Sequence, residues 1–219
     1  MVKPSGTSGF FQVQVNEQGD ISGTFVQTPY STEKAEIESQ IIGLFISSMN
    51  KNLAVSGEES FLSNPKQNQE SNIDFTVKSP NGLAYLELIE IAPLKGPYAT
   101  APSSYKPYEF AKAILAGIKK KTDHYAGTQW QDIFLLLYVT HWSFIPSSST
   151  LACLRYWLAR ESHRFRAVFS FYLLDTSEGV PQWIFPYPPD LLGTFDPEII
   201  RDDVCLNLDP RKFEVNVGK

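Results

Sequence analysis

The chain has 219 residues, 42% apolar, 20% charged and 13% aromatic, which is enough to bury a core and too evenly mixed for a disordered polyelectrolyte or a coiled coil. Its net charge of -5, from 19 Lys plus Arg against 24 Asp plus Glu, gives no overall attraction to phosphate, so any nucleic-acid contact has to come from a local patch. Two cysteines, Cys153 and Cys205, are too few for a disulfide framework or a Cys-x-x-Cys metal knuckle and read as reduced, buried thiols. The longest apolar run, Ile133 to Val139, is far too short to cross a bilayer, and the opening residues Met1 to Gly6 carry no apolar leader. A cytoplasmic protein with no membrane partner is expected.

Taken in chain order, residues 1–30 alternate weakly through Phe11, Val13, Val15, Ile21 and Phe25 around Asn16 to Asp20. This predicts a hairpin with a Gly-containing turn, a decoration ahead of the main fold. Thr32 as N-cap and the spacing of Ile37, Ile41, Leu44, Phe45 and Ser48 predict a helix from Glu33 to Met49. The polar stretch 56–71 reads as a loop, leaving Leu53 to Val55 to supply any strand before it. Ile73 to Val77, the turn residues Ser79 to Gly82, and Leu83 to Ile91 predict a hairpin whose second strand is central in a sheet. A Pro- and Tyr-rich connection over 93–107 leads to a second helix, whose stripe of Phe110, Ile114, Ile118, Lys121 and Tyr125 brings Lys121 near the core. Asp132 to Thr140, Ser149 to Glu161 and Ala167 to Leu174 predict strand, helix and strand, and the Pro-rich tail from Val180 is expected to wrap the surface. The fold class is therefore α/β, a mixed central sheet of four or more strands with helices on both faces. One domain is expected over 1–219, with the hairpin at 1–30, the core at 31–145 and a helix-strand extension with its Pro-rich tail at 146–219.

Phosphate-loop, dinucleotide, nucleophile-elbow and zinc-protease motifs are absent from the sequence, which excludes the best-marked hydrolases. His124, His141 and His163 are scattered and point to structural or solvent-facing roles. Alternation along the long strand puts Leu83, Tyr85, Glu87, Ile89 and Ile91 on one face, and Ala84, Leu86, Leu88 and Glu90 on the other. Each face thus carries one carboxylate among apolar side chains. An ionised carboxylate on a doubly covered strand needs a cation, a donor or a metal, and either Glu87 or Glu90 can be the one in question. Asp74 is the natural companion from the preceding strand. On the same side as Glu87 it would repel that carboxylate, and a hard divalent cation such as Mg²⁺ relieves the repulsion with oxygen ligands. Such a site activates water for phosphodiester hydrolysis. Asp74 equally suits the hydrogen-bonded start of an edge strand.

Ile73-Asp74-Phe75, a short turn and Leu86-Glu87-Leu88 resemble the catalytic hairpin of the PD-(D/E)XK, or restriction-endonuclease-like, nuclease superfamily. The order helix, hairpin, helix, strand is similar too, over roughly Ser31 to Trp142. The resemblance implies a restriction-endonuclease-like core and a nuclease that uses Mg²⁺ or Mn²⁺, acts on DNA ahead of RNA, and leaves a homodimer open. It also implies Asp74 and Glu87 as metal ligands, with Glu36, ahead of Glu33, completing the acidic set. The family's lysine two residues after the strand Glu is Ile89 here, so the resemblance points to Lys121, then Lys120, as its substitute from the second helix. Ile73 stands where the family has Pro. The missing lysine and the acidic net charge also suit a catalytically degenerate domain that binds nucleic acid or protein. A third reading makes the aromatic and Pro-rich segment 183–189 an assembly interface. Arg155, Arg160, Arg164 and Arg166 form a second basic cluster able to hold phosphates, and Trp130, Trp142 and Trp157 read as packing residues.

Overall fold

A computed structural model describes residues 9–56, 61–68, 73–91, 102–127, 132–175, 177–188 and 192–207. In chain order its elements are β1 (Gly9–Val15), β2 (Ile21–Gln27), α1 (Lys34–Ser56), β3 (Ser63–Gln67), β4 (Phe75–Ser79), β5 (Gly82–Glu90) and β6 (Ser104–Tyr105). Then come α2 (Pro107–His124), β7 (Ile133–Val139), α3 (Ser148–Leu158), β8 (Phe165–Leu173), β9 (Gly179–Phe185) and β10 (Cys205–Leu206). Six strands form the central sheet in the order β3-β4-β5-β7-β8-β9. The inner pairs β5/β7 and β7/β8 are parallel, and the outer pairs β3/β4, β4/β5 and β8/β9 are antiparallel. The expected α/β class, with a mixed sheet and helices on both faces, is what the chain adopts.

The sheet is organised around β7, in which every residue is buried. A strand covered on both faces has no polar side to show, which is why Ile133-Phe-Leu-Leu-Leu-Tyr-Val139 reads as one apolar run. Its alternation divides the core in two. Ile133, Leu135, Leu137 and Val139 pack with Ile114, Ile118 and Leu154 of α2 and α3. Phe134, Leu136 and Tyr138 pack with Ile37, Ile41 and Phe45 of α1 on the opposite face.

The hairpin Gly9–Gln27 forms its own two-stranded sheet, its turn held by Asn16 Oδ1, which accepts the amides of Gln18 and Asp20. The β4–β5 turn needs Gly82, whose φ of +113° is closed to side chains with a Cβ. Among the described residues no helix is long and apolar enough to cross a membrane.

Three expectations are corrected. The first helix continues past Met49 to Ser56, so Leu53 to Val55 is helical and supplies no strand. The polar stretch after it, expected as loop, contains β3, an edge strand made by pairing with β4 and not by its own side chains. Asn50 of α1 fixes where β3 begins: its Nδ2 donates to the Leu62 carbonyl at 2.9 Å and its Oδ1 accepts the Phe61 amide at 3.0 Å. The tail from Val180 does not merely wrap the surface, because Gly179–Phe185 is the antiparallel edge strand β9. Pro181 is tolerated there because an edge strand has backbone groups with no ladder to complete.

The described part of 183–189, expected as an assembly interface, packs in part on its own chain. Ile184 is fully buried, and Trp183 packs edge-on to Phe169 and tilted against Phe61 of its own chain. Pro189, Trp130 and the connection over 93–101 lie outside the described residues. Cys153 is buried, its thiol pushed up to about 11 by burial, while Cys205 is only half-buried and both are free thiols.

The packing of β9 on β8 is tight at one point. A Cβ at Gly179 would come within 2.3 Å of Phe171 Cζ and 2.8 Å of the Tyr172 carbonyl oxygen. Gly179→Ala is expected to destabilise the protein by about 1–3 kcal/mol through overpacking. Gly117→Ala, in open space on α2, is expected to stabilise it by roughly 0.5–1 kcal/mol. Urea-denaturation midpoints of the two variants, moving in opposite directions, check this.

Candidate functional site

The register Phe75↔Leu86 brings Asp74, one residue before β4, opposite Glu87 on β5. Opposed residues of an antiparallel pair point to one side, and Glu87 lies on the α2 side of the sheet. Its side chain is fully buried. Lys121 Nζ donates to Glu87 Oε1, and Tyr125 Oη donates to Oε2 at 2.5 Å. Both donors come from the C-terminal end of α2, one helical turn apart, the i, i+4 relation that puts two side chains on one face. Lys121 retains about a third of its exposure, as a long side chain does when it buries its stem and keeps its head near water.

Asp74 is half-buried, and its Oδ2 accepts the Leu88 amide at 2.8 Å. The carboxylate stands in for a backbone carbonyl where the β4–β5 ladder stops. Its charge also reaches Glu87. Burial pushes the Glu87 carboxyl up to about 7, and the Asp74 charge adds to the rise against the donors Lys121 and Tyr125. The Tyr125 phenol is pushed far up, first by burial and then by the Glu87 carboxylate.

The structure separates the remaining residues proposed from the sequence. Glu36 is exposed and accepts a hydrogen bond from Ser31 Oγ. The buried acid of α1 is Glu38, which pairs with Lys34 at 3.2 Å and accepts from Tyr138 Oη at 3.4 Å. Burial raises its carboxyl, Lys34 opposes this, and Asp74 adds a smaller rise. A signal for Glu38 is present in the sequence: it lies four residues before Ile42, inside the buried stripe of α1, whereas the residue four after Glu36 is the polar Gln40.

Glu33 is exposed, and so is Lys120; Lys121 is the lysine that reaches the carboxylate. Glu90 lies on the other face, where it accepts from Thr140 Oγ1 at 2.5 Å, so Glu87 is the carboxylate paired across from Asp74. Ile89 occupies the family's lysine position. His124 is exposed, while His141 is buried with Nδ1 accepting the Ser143 amide. Three of the four arginines are engaged within the chain. Arg155 donates to the Trp183 carbonyl, Arg160 covers the Tyr156 ring, and Arg166 pairs with Asp132 at 2.5 Å. Trp157 packs edge-on against Tyr108, and Trp142 stacks on His141.

Among the described residues no group of three or more His, Cys, Asp or Glu side chains converges as a metal cluster. Mg²⁺ needs fewer, because it keeps several waters and takes one or two carboxylates. Asp74 and Glu87 fit that need. They repel across one strand pair, and each Glu87 oxygen has a second lone-pair direction beyond the one its donor occupies.

No family model matches the chain, and no curated protein matches it. Among solved structures, SfsA of Pyrococcus furiosus in complex with Ca²⁺ is similar to it at 14% identity over 84% of this chain and 97% of that one, with a TM-score of 0.30. At that score the likeness carries no argument about the site.

Glu87 gives a pH signature. Its folded-state pKa of about 7 stands above the ordinary carboxylate range, so the native state holds the proton longer than the unfolded chain. The stability it contributes is present in full below the unfolded pKa and is lost as pH rises through about 7. Glu87→Gln removes the titration, so its Tm relative to wild type should rise between pH 4.5 and pH 8, on the order of 5 °C. Thermal melts at those two pH values test this; a gap that stays constant would mean that Glu87 does not titrate in that window.

Proposed function

We propose that the protein is a Mg²⁺-dependent nuclease of the PD-(D/E)XK kind, hydrolysing phosphodiester bonds in nucleic acid, DNA ahead of RNA. The observation that carries the reading is the pairing of Asp74 with Glu87 on one side of the β4–β5 hairpin, with Lys121 bound to the same carboxylate. Asp74 and Glu87 would hold the ion, which supplies Lewis-acid neutralisation of the phosphate and a water acidified by coordination. Asp74 is kept in place by the Leu88 amide. Tyr125 fixes the orientation of Glu87 from the α2 side. Lys121 commits one of its three N–H donors to Glu87, and its exposed remainder is available to the developing negative charge on a phosphate beside it. Lys34 balances Glu38 and limits the negative charge on the α1 side.

Cleavage of single- and double-stranded DNA and RNA in Mg²⁺ or Mn²⁺ tests this. Asp74→Asn, Glu87→Gln and EDTA are each expected to abolish activity, and Lys121→Ala to lower kcat by about 10²–10³-fold. Activity that survives both carboxylate variants would remove the proposal. Metal affinity supplies a second check. Glu87 must lose its proton to bind a cation, so Mg²⁺ binding by calorimetry should strengthen from pH 6 to pH 8 and release protons to the buffer.

A second reading, a degenerate domain that binds nucleic acid without cutting it, is favoured by Ile89 and by the two donors already seated on Glu87. Metal-independent binding with no cleavage by clean protein would favour it over the first.

A further inference from the structure

Among the described residues, no helix covers the α2 side of the sheet along its whole width. Tyr85 and Ile89 of β5 and the strands β7 and β8 pack toward α2 and α3. Beyond them the same side continues onto β4 and β3, where the register Lys66↔Thr76↔Tyr85 and the pair Lys78↔Leu83 define one surface. Lys66, Lys78 and Leu83 on it are exposed, Leu83 by 62%. Among the described residues neither lysine has a carboxylate within ion-pair reach. Every carboxylate placed on this side of β4 and β5 belongs to the Asp74–Glu87 pair. The shelf is thus positive at one end and acidic at the other. Lys78 and Thr76 are two residues apart on β4, about 7 Å, and Asp74 lies two residues beyond Thr76, away from Lys78.

We infer that this shelf is a track for one nucleic-acid strand, Lys66 and Lys78 holding phosphates on the way to the Asp74–Glu87 pair. The inference rests on the proposed nuclease reading for what happens at the carboxylates, but not for the binding itself. Charge complementarity selects the occupant. A polyanion is drawn to two ammonium groups on neighbouring strands that have no carboxylate partner among the described residues, while the chain as a whole, at -5, repels it, so binding has to concentrate where the cations stand clear of carboxylates. A protein partner would gain little from two lysines and one exposed leucine, since such interfaces are built on buried aromatic and arginine anchors.

The test is fluorescence anisotropy with a labelled single-stranded DNA oligonucleotide in EDTA, where no cleavage can occur, for wild type, Lys66→Gln, Lys78→Gln and the double variant across a salt series. Each substitution is expected to flatten the slope of log affinity against log salt by about 1, and the double variant to weaken binding about tenfold or more at low salt. Both lysines are exposed, so circular dichroism should show the fold intact. Wild-type affinity and slope in the double variant would overturn the inference, as would the absence of any binding by the wild type. The outcomes separate from those of the nuclease reading. Lysine-dependent binding without cleavage keeps the track and removes the nuclease, whereas cleavage indifferent to both lysines keeps the nuclease and removes the track.

Discussion

A carboxylate buried between sheet and helix governs the arrangement of this molecule. Glu87 stands on a strand with helices on both sides, where an ionised group costs several kcal/mol unless it is met by donors. Lys121 and Tyr125 meet it, and both come from one turn of α2. The contact therefore locks helix rotation as well as charge. Turning α2 by a single residue would remove both donors from reach and send the apolar stripe of Phe110, Ile114 and Ile118 away from the sheet. Packing and electrostatics demand the same helical phase, a consistency between levels that favours one well-defined native state.

Around that contact the acids are graded by setting. Glu87 is closed in, Asp74 is half-open and tied to the backbone, and Glu38 is buried against a lysine of its own helix. Asp74 senses both neighbours because it sits at the end of a ladder, and its charge contributes to the raised carboxyls of Glu87 and Glu38 alike. Lys34 and Lys121, each bound to one of these acids, limit the repulsion within the chain.

Much of this was legible in the sequence, for stated reasons. Strand period two fixed Glu87 and Glu90 on opposite faces, and turn chemistry at Ser79 to Gly82 set the register that opposes Asp74 to Glu87. The stripe in α2 found Lys121. Glu36 came from the family resemblance alone, whereas the helical phase of Ile37, Ile41 and Ile42 marks Glu38 as the buried acid of α1. Two strands of the central sheet escaped for a different cause. The side chains of Ser63 to Gln67 carry no strand signal, so β3 exists by virtue of its partner, and Pro181 argues locally against a strand that its edge position permits.

The two hydrogen bonds of Asn50 have a consequence for how the outer edge of the sheet is specified. One amide side chain reads the backbone at two successive residues, Phe61 and Leu62, and so acts as a ruler laid from helix to strand. The edge strand inherits its starting point from α1 instead of from the length of the segment that joins them. Insertions or deletions in that segment can therefore accumulate while the spacing between Lys66 and the carboxylates stays the same.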